Sequence, residues 1–475
     1  MSLFVRMVKK FNPDESSLND LVNHSFLGGF YNLFCRYISA ITGKISENSL
    51  VLNNIDNIYF VFLGILIFAI PFAKTAVLGG LAFVLILISI INSLLNHKKF
   101  EFSALHLPVF IYLAILLISV GFSSLLLPSL KGFMKMIIYI GAFFSFFAFL
   151  KKNPSKIIPT VVMIALSCCL ELLFVLKQMI FGVESLASWQ DISRINPNQT
   201  LNRIFGTIKP HNPNLLGAYL LACSPAILGM AIYAFLKNKI KIAVVASGFA
   251  ILSLIALIQT GCRGAYIGLF FGIIFFVLLG FNAFKGFFAQ KKDFKKILIY
   301  TILGLLLIGI LAIIFSPSIM HRLESIFTLR GDSSNSYRMN VYISSLKMFL
   351  DNFWIGIGTG NTTYRLIYGL YMITGFDALG AYNIYLEMAV ESGIFAPLTF
   401  FWMMILTFAQ GIKKLFVLQA EYKVVILIAL SAIFAMLFHG IFDTVWYRPQ
   451  LQLLFWLYMA ILAVVIMKDF AYAQK

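Results

Sequence analysis

Eight arginines, Arg194, Arg203, Arg263, Arg322, Arg330, Arg338, Arg365 and Arg448, stand in the loops between alternate pairs of apolar runs. The intervening loops hold clustered lysines instead. An arginine grips a phosphate through two parallel hydrogen bonds and keeps its charge beside lipid, so this sorting suits a substrate that carries phosphate. Arg263, at the mouth of an apolar run, is the foremost candidate, with Arg203, Arg338 and Arg448 as further candidates. The plainer reading of Arg263 is a topological anchor that snorkels at the interface. His439 and Asp443 are candidate proton acceptors, although Asp443 and Arg448 equally suit a structural pair around an interfacial Trp446-Tyr447 belt. Asn212, Asn214 and Asn383 suit helix starts, from which their amides can also orient a sugar or phosphate. Glu171 falls well inside an apolar run, where a carboxyl either couples to ions or hydrogen-bonds a neighbouring helix.

Apolar runs of ~20 residues position these groups. Twelve are readable: 58–73, 75–95, 105–121, 132–150, 157–179, 214–235, 242–259, 264–280, 297–315, 393–410, 424–437 and 451–467. The expected fold is therefore all-α, a polytopic membrane protein in which Pro71 and Lys74 turn the first two runs into a hairpin. Lys98-Lys99, Lys151-Lys152, Lys237, Lys239, Lys241, Lys291-Lys292 and Lys413-Lys414 fall on one side with the N-terminal Arg6, Lys9 and Lys10. The positive-inside rule makes that side cytoplasmic, and both termini with it. Residues 1–57 then precede the transmembrane unit 58–467, and 468–475 form a tail. Asp20–Ile41 has the spacing of an interfacial amphipathic helix. The opposite side carries a segment over 316–392 that is too long for a plain connection; Tyr337 to Leu350 reads as a helix within it. The run Gly356-Ile357-Gly358-Thr359-Gly360-Asn361 reads as a turn, since it follows no strand and lacks the Lys-Ser/Thr ending of a phosphate loop.

Composition removes several function classes. The chain is 60% hydrophobic and 12% charged, too apolar to clothe the surface of a soluble globule of 475 residues. A net charge of +18 would suit nucleic acid, but the lysines sit in short loops where they set topology against anionic lipid. Cys35, Cys168, Cys169, Cys223 and Cys262 match no zinc spacing and no disulfide framework. His211 and His321 lack neighbouring ligands, and no carboxylate pair with divalent-metal spacing lies on the arginine side. No metal and no cofactor are expected.

Arg203 followed by Asn212-Pro213-Asn214-Leu215-Leu216, Gly261-Cys262-Arg263-Gly264-Ala265, Gly356–Asn361, Ala381-Tyr382-Asn383-Ile384-Tyr385-Leu386-Glu387 and Glu391-Ser392-Gly393 together carry a resemblance. As a set they resemble the O-antigen ligase/polymerase superfamily of bacterial membrane proteins, over most of the chain beyond Ile157. Gln178, Gly182-Val183-Glu184, Trp189-Gln190-Asp191 and the stretch from Gly440 to Gln450 look most like one branch, the IctB-type putative inorganic-carbon transporters. The superfamily implies a GT-C-like bundle with a large periplasmic loop in the bacterial inner membrane. It also implies a membrane glycosyltransferase of lipopolysaccharide and polysaccharide assembly. The donor would be a glycan on undecaprenyl pyrophosphate, the acceptor a lipid or glycan hydroxyl, with membrane lipids as the surroundings.

One position departs from the family pattern. Ligases of the superfamily carry a His before the Asn of the long-loop motif, and this chain has Tyr382 there. A phenol, with a reference pKa of ~10, is a poor base at neutral pH. His439 or Asp443 supplies the function, or pyrophosphate leaves without a base, or the branch does not ligate. The alternative reading is a transporter of bicarbonate or another small anion, motivated by the branch resemblance and by Glu171 and Lys177. Against it stand the apolar interiors of the spans and the lack of an inverted repeat.

Overall fold

A computed structural model of the chain describes residues 49–95, 101–183, 203–290, 317–324, 326–327 and 333–467, together with Ser16, Asn19, Asp20 and Tyr37. The described residues are helical with no regular strand, which bears out the all-α polytopic reading. Among the described residues nine helices are long and apolar enough to cross a membrane. In chain order the elements used below are α1 (Ile55–Ala69), α2 (Thr75–Leu95), α3 (His106–Gly121), α4 (Leu126–Lys152), α5 (Ile157–Phe181), α6 (Pro213–Leu236) and α7 (Ile240–Gln259). They continue with α8 (Arg263–Ala283), α9 (Ser333–Asp351), α10 (Asn361–Tyr368), α11 (Ile384–Ser392), α12 (Phe395–Leu415), α13 (Ala420–His439) and α14 (Pro449–Met467). Eleven of the twelve expected runs thus appear as helices, α1 and α3 being shorter than a full crossing. The remaining run, 297–315, and nearly all of the expected Asp20–Ile41 helix lie outside the described residues.

The hairpin expected at Pro71 is present: α1 ends at Ala69, the chain turns, and α2 opens at Thr75. α14 is apolar all round and buried along its length, so it is the axis about which the others pack. It lies against α4, while α6 packs on α5, α7 and α13, and α12 packs on α3.

α8 and α13 approach closely. Gly264, Gly268 and Gly272 line up one turn apart along α8, and a Cβ on Gly268 would stand 2.8 Å from the Ala435 carbonyl oxygen. Small residues at this spacing let two backbones meet without side chains between them. The contact delivers His439, the last residue of α13, to the start of α8.

Two faces result. On one, Lys152 pairs with Asp56 at 2.7 Å, Lys151 with Glu101 and Lys237 with Glu421, and Lys413 and Lys414 end α12. On the other lie the turns 70–74, 122–125, 203–212, 260–262 and 440–448, together with 333–392. That second face holds Arg203, Arg263, Arg338, Arg365 and Arg448, so the sorting read in the loops survives folding.

The 333–392 segment has its own small core of Val341, Met348, Ile357, Tyr364, Tyr368, Ala378, Ala381 and Val390. Its glycine run wraps the end of α11: the Ile357 amide donates to the Val390 carbonyl at 3.0 Å, and Gly358 to that of Glu391 at 3.0 Å. Gly356, Gly358 and Gly360 have φ of 78°, 103° and 102°, values that favour glycine. The run is therefore a clasp, in keeping with its reading as a turn.

Candidate functional site

α6 opens with Asn212 as N-cap and Pro213 in its first turn. Asn212 Oδ1 accepts from the Asn214 amide at 2.8 Å, which leaves the Asn214 side chain directed away from the helix start. Asn214 Oδ1 accepts from Arg203 Nη2 at 2.5 Å, and Asn214 Nδ2 donates to Asp443 Oδ2 at 2.8 Å. The same Asp443 oxygen faces Arg338 Nη2 at 3.4 Å. Arg203, Asn214, Asp443 and Arg338 therefore form one chain of contacts, with a single carboxylate between two guanidinium groups.

The backbone holds two members of that chain. Arg203 Nε donates to the Thr260 carbonyl at 2.7 Å, and Asp443 Oδ1 accepts from the Val445 amide at 3.1 Å. Burial pulls the Arg203 guanidinium below its ordinary value, and an arginine so placed still carries its charge. The loop that carries Arg203 is pinned from inside the bundle. Buried Glu171 on α5 accepts from both the amide and the hydroxyl of Thr207, and Gln178 Oε1 accepts from the Gly206 amide at 2.8 Å. Glu171 is thus engaged with a loop rather than with a neighbouring helix, and its role as a loop pin was not legible from the sequence.

Arg263 is the first residue of α8 and is buried. Next to it, Cys262 Sγ lies 3.5 Å from His439 Nε2. This buried thiol–imidazole contact was missed by sequence reasoning, because 176 residues of chain separate the two partners. Tyr382, with φ of 52°, presents its ring to Arg338, whose guanidinium carbon stands 5.6 Å from the ring centroid. Burial pushes the Tyr382 phenol above its ordinary range, further from what a base at neutral pH requires. Asn383 caps α11, accepting from Tyr385 and Leu386.

Two expectations are corrected. Asp443 pairs with Arg338, and among the described residues no ion pair joins it to Arg448, whose side chain is exposed. Trp446 is no interfacial belt residue: it is buried against Phe455 at 4.5 Å and Phe400 at 6.0 Å. Asn383 stands at a helix start, as its position in the sequence suggests. Arg194 and Arg330 lie outside the described residues, and Arg322 falls on the short helix Pro317–Glu324. Among the described residues no group of His, Cys, Asp and Glu is arranged to hold a metal ion, and Cys168, Cys169, Cys223 and Cys262 are free thiols.

Two buried acids also escaped the sequence reading. Glu387 and Glu391 lie one turn apart on α11, where Glu387 Oε2 accepts from the Ala381 amide at 2.7 Å and Glu391 Oε1 from the Gly360 amide at 2.8 Å. They tie the Ala381–Asn383 turn and the glycine clasp to one helix. Burial raises both, Glu391 to about 7, and the neighbouring Glu391 raises Glu387 further.

Residues 248–401 match the family profile described as O-antigen ligase. The matched stretch runs from α7 through α12 and includes Cys262, Arg263, Arg338, Tyr382, Glu387 and Glu391. It supports the O-antigen ligase/polymerase superfamily and a membrane glycan-ligating function; the IctB-type branch finds no support in it. A search of curated proteins finds no match to the chain.

Proposed function

We propose that this protein is a membrane glycosyltransferase of the O-antigen ligase or polymerase type. It transfers a glycan from a polyprenyl-pyrophosphate carrier to an acceptor hydroxyl at the periplasmic face of a bacterial inner membrane. The observation that carries the reading is the Arg203–Asn214–Asp443–Arg338 chain: one acid between two arginines leaves a net positive site beside Arg263, suited to an anion. The lysine face is cytoplasmic by the positive-inside rule, which puts the arginines outside.

In the reaction the acceptor oxygen attacks the anomeric carbon, the bond from that carbon to phosphate breaks, and the pyrophosphate leaves on its lipid. Fixed guanidinium groups stabilise the charge that develops on the leaving oxygen. The reading assigns the acceptor proton to His439 or Asp443, since burial raises the Tyr382 phenol further from the range of a base at neutral pH. Glu171, one of the residues that motivated the transporter reading, is engaged with Thr207.

The deciding experiment is binding of a polyprenyl-pyrophosphate-linked glycan to purified protein, wild type against Arg263→Ala. Saturable binding that is lost in the variant supports the reading. No binding by either protein sinks it.

A further inference from the structure

α4 is 27 residues long, roughly 40 Å at 1.5 Å per residue, against a hydrocarbon thickness of ~30 Å. Its lysine end is marked by Lys151 and Lys152. Counting ~20 residues back from Leu150 reaches Lys131, so the apolar boundary on the arginine side falls there. α10 begins at that depth. Thr359 Oγ1 donates to the Ser129 carbonyl at 2.9 Å, and a Cβ on Gly132 would stand 2.7 Å from Gly360 Cα.

From this level the 361–379 segment presents a surface unlike that of a water-facing loop. α10 turns Thr363, Tyr364 and Tyr368 inward and leaves Arg365 and Leu366 outward. Leu370 is 84% exposed, and Leu366, Met372, Ile373 and Leu379 are exposed with it, five large apolar side chains within fourteen residues. Leu366, Met372 and Leu379 line a cavity of about 690 Å³ together with Arg365 and Asp377, which form an ion pair at 2.7 Å. A patch of this kind in water marks an interaction surface. Its occupant follows from its depth and surroundings. The segment packs on α4, whose Leu127, Leu130 and Met134 are exposed and whose exposed Lys131 lies at the counted boundary, the level where lysines reach lipid phosphates.

We propose that residues 361–379 are seated in the membrane interface, with Leu366, Leu370, Met372 and Ile373 immersed in the acyl region of the leaflet on the arginine side. The inference rests on depth and exposure and holds whichever reaction the protein performs. The seat also adjoins the arginine site: Tyr337 donates from its hydroxyl to the Asp377 carbonyl, and its ring packs on Tyr382 at 6.0 Å.

The test is the depth of nitroxide labels on the full chain in phospholipid nanodiscs, in a Cys35→Ser background. Labels go on Leu370→Cys and Ile373→Cys, with Lys347→Cys as the aqueous reference and Leu166→Cys, on the exposed face of α5, as the lipid reference. Met372→Cys replaces either variant that is not monodisperse. The expected result is collision with oxygen exceeding collision with a soluble nickel chelate at both sites, as at residue 166. Either site tracking residue 347 overturns the proposal.

Discussion

Asn214 donates from Nδ2 to Asp443 Oδ2 at 2.8 Å while its own Oδ1 accepts from Arg203, so one amide bridges an arginine that precedes the matched stretch and an acid that follows it. Only an amide has a donor and an acceptor side by side for that task. Asp443 is 4% exposed, and without it Arg203 and Arg338 lose the charge that separates them. Asp443→Ala is expected to destabilise the protein by about 3 kcal/mol, the range found when one partner of a buried pair is removed. A double-mutant cycle with Asn214→Ala should give a coupling above about 0.5 kcal/mol. Thermal unfolding of the four proteins measures both, and strict additivity would show that the bridge does not form.

Arg203 is the site residue whose geometry is least replaceable. Nε reaches the Thr260 carbonyl while Nη2 reaches Asn214, a division of labour that needs a planar fork. Arg203→Lys keeps the charge and is still expected to lower glycan transfer at least tenfold, since one lost hydrogen bond to a charged group is worth about 1.5–3 kcal/mol. A lysine variant with wild-type turnover would mean that charge alone matters at this position.

His439 and Asp443 compete for the role of proton acceptor, and a pH–rate profile separates them. His439→Gln keeps a polar group beside Cys262 but cannot titrate. If His439 receives the proton, the variant loses the acidic limb of the profile along with about 10²- to 10⁴-fold of rate. Cys262→Ser, which preserves a partner for the ring, is expected to retain that limb. An unchanged limb in His439→Gln transfers the role to Asp443.

Most of the helical frame was legible because a crossing of lipid demands a long apolar run, and the lysine-rich loops alternate with the arginine-bearing ones. Thr75–Leu95 and the Pro71 turn appear where the sequence puts them. α4 ran past expectation, since Lys131 interrupts the apolar pattern without interrupting the helix. The site was legible only as a set of residue types. Arg203, Asn214, Arg338 and Asp443 were each recognisable, but nothing local says that Asp443 would meet Arg338 across 105 residues rather than Arg448 five residues away. Trp446 looked interfacial because an aromatic beside a loop usually is, and only the packing of α14 and α12 reveals it as core. Glu387 and Glu391 lay inside a recognised motif, yet their burial depends on the glycine clasp folding over them.

Those two acids make stability depend on pH. Among the described residues neither carboxyl forms an ion pair; each accepts a backbone amide in a buried setting. Burial raises Glu391 from an ordinary 4.5 to about 7. An acid whose folded value is raised binds its proton more tightly folded than unfolded, so the native state is favoured in full below about pH 4.5. That stability is lost progressively as pH rises toward about 7, and above it the cost is constant. The size is on the order of 3 kcal/mol for an isolated group. Glu391→Gln keeps an oxygen for the Gly360 amide and carries no charge at any pH. Its melting temperature is therefore expected to exceed that of wild type at pH 8 and to converge with it near pH 5, as measured by scanning fluorimetry in one detergent. A difference that does not change between those two pH values would mean that Glu391 is charged throughout, and that a cation beside it offsets the burial.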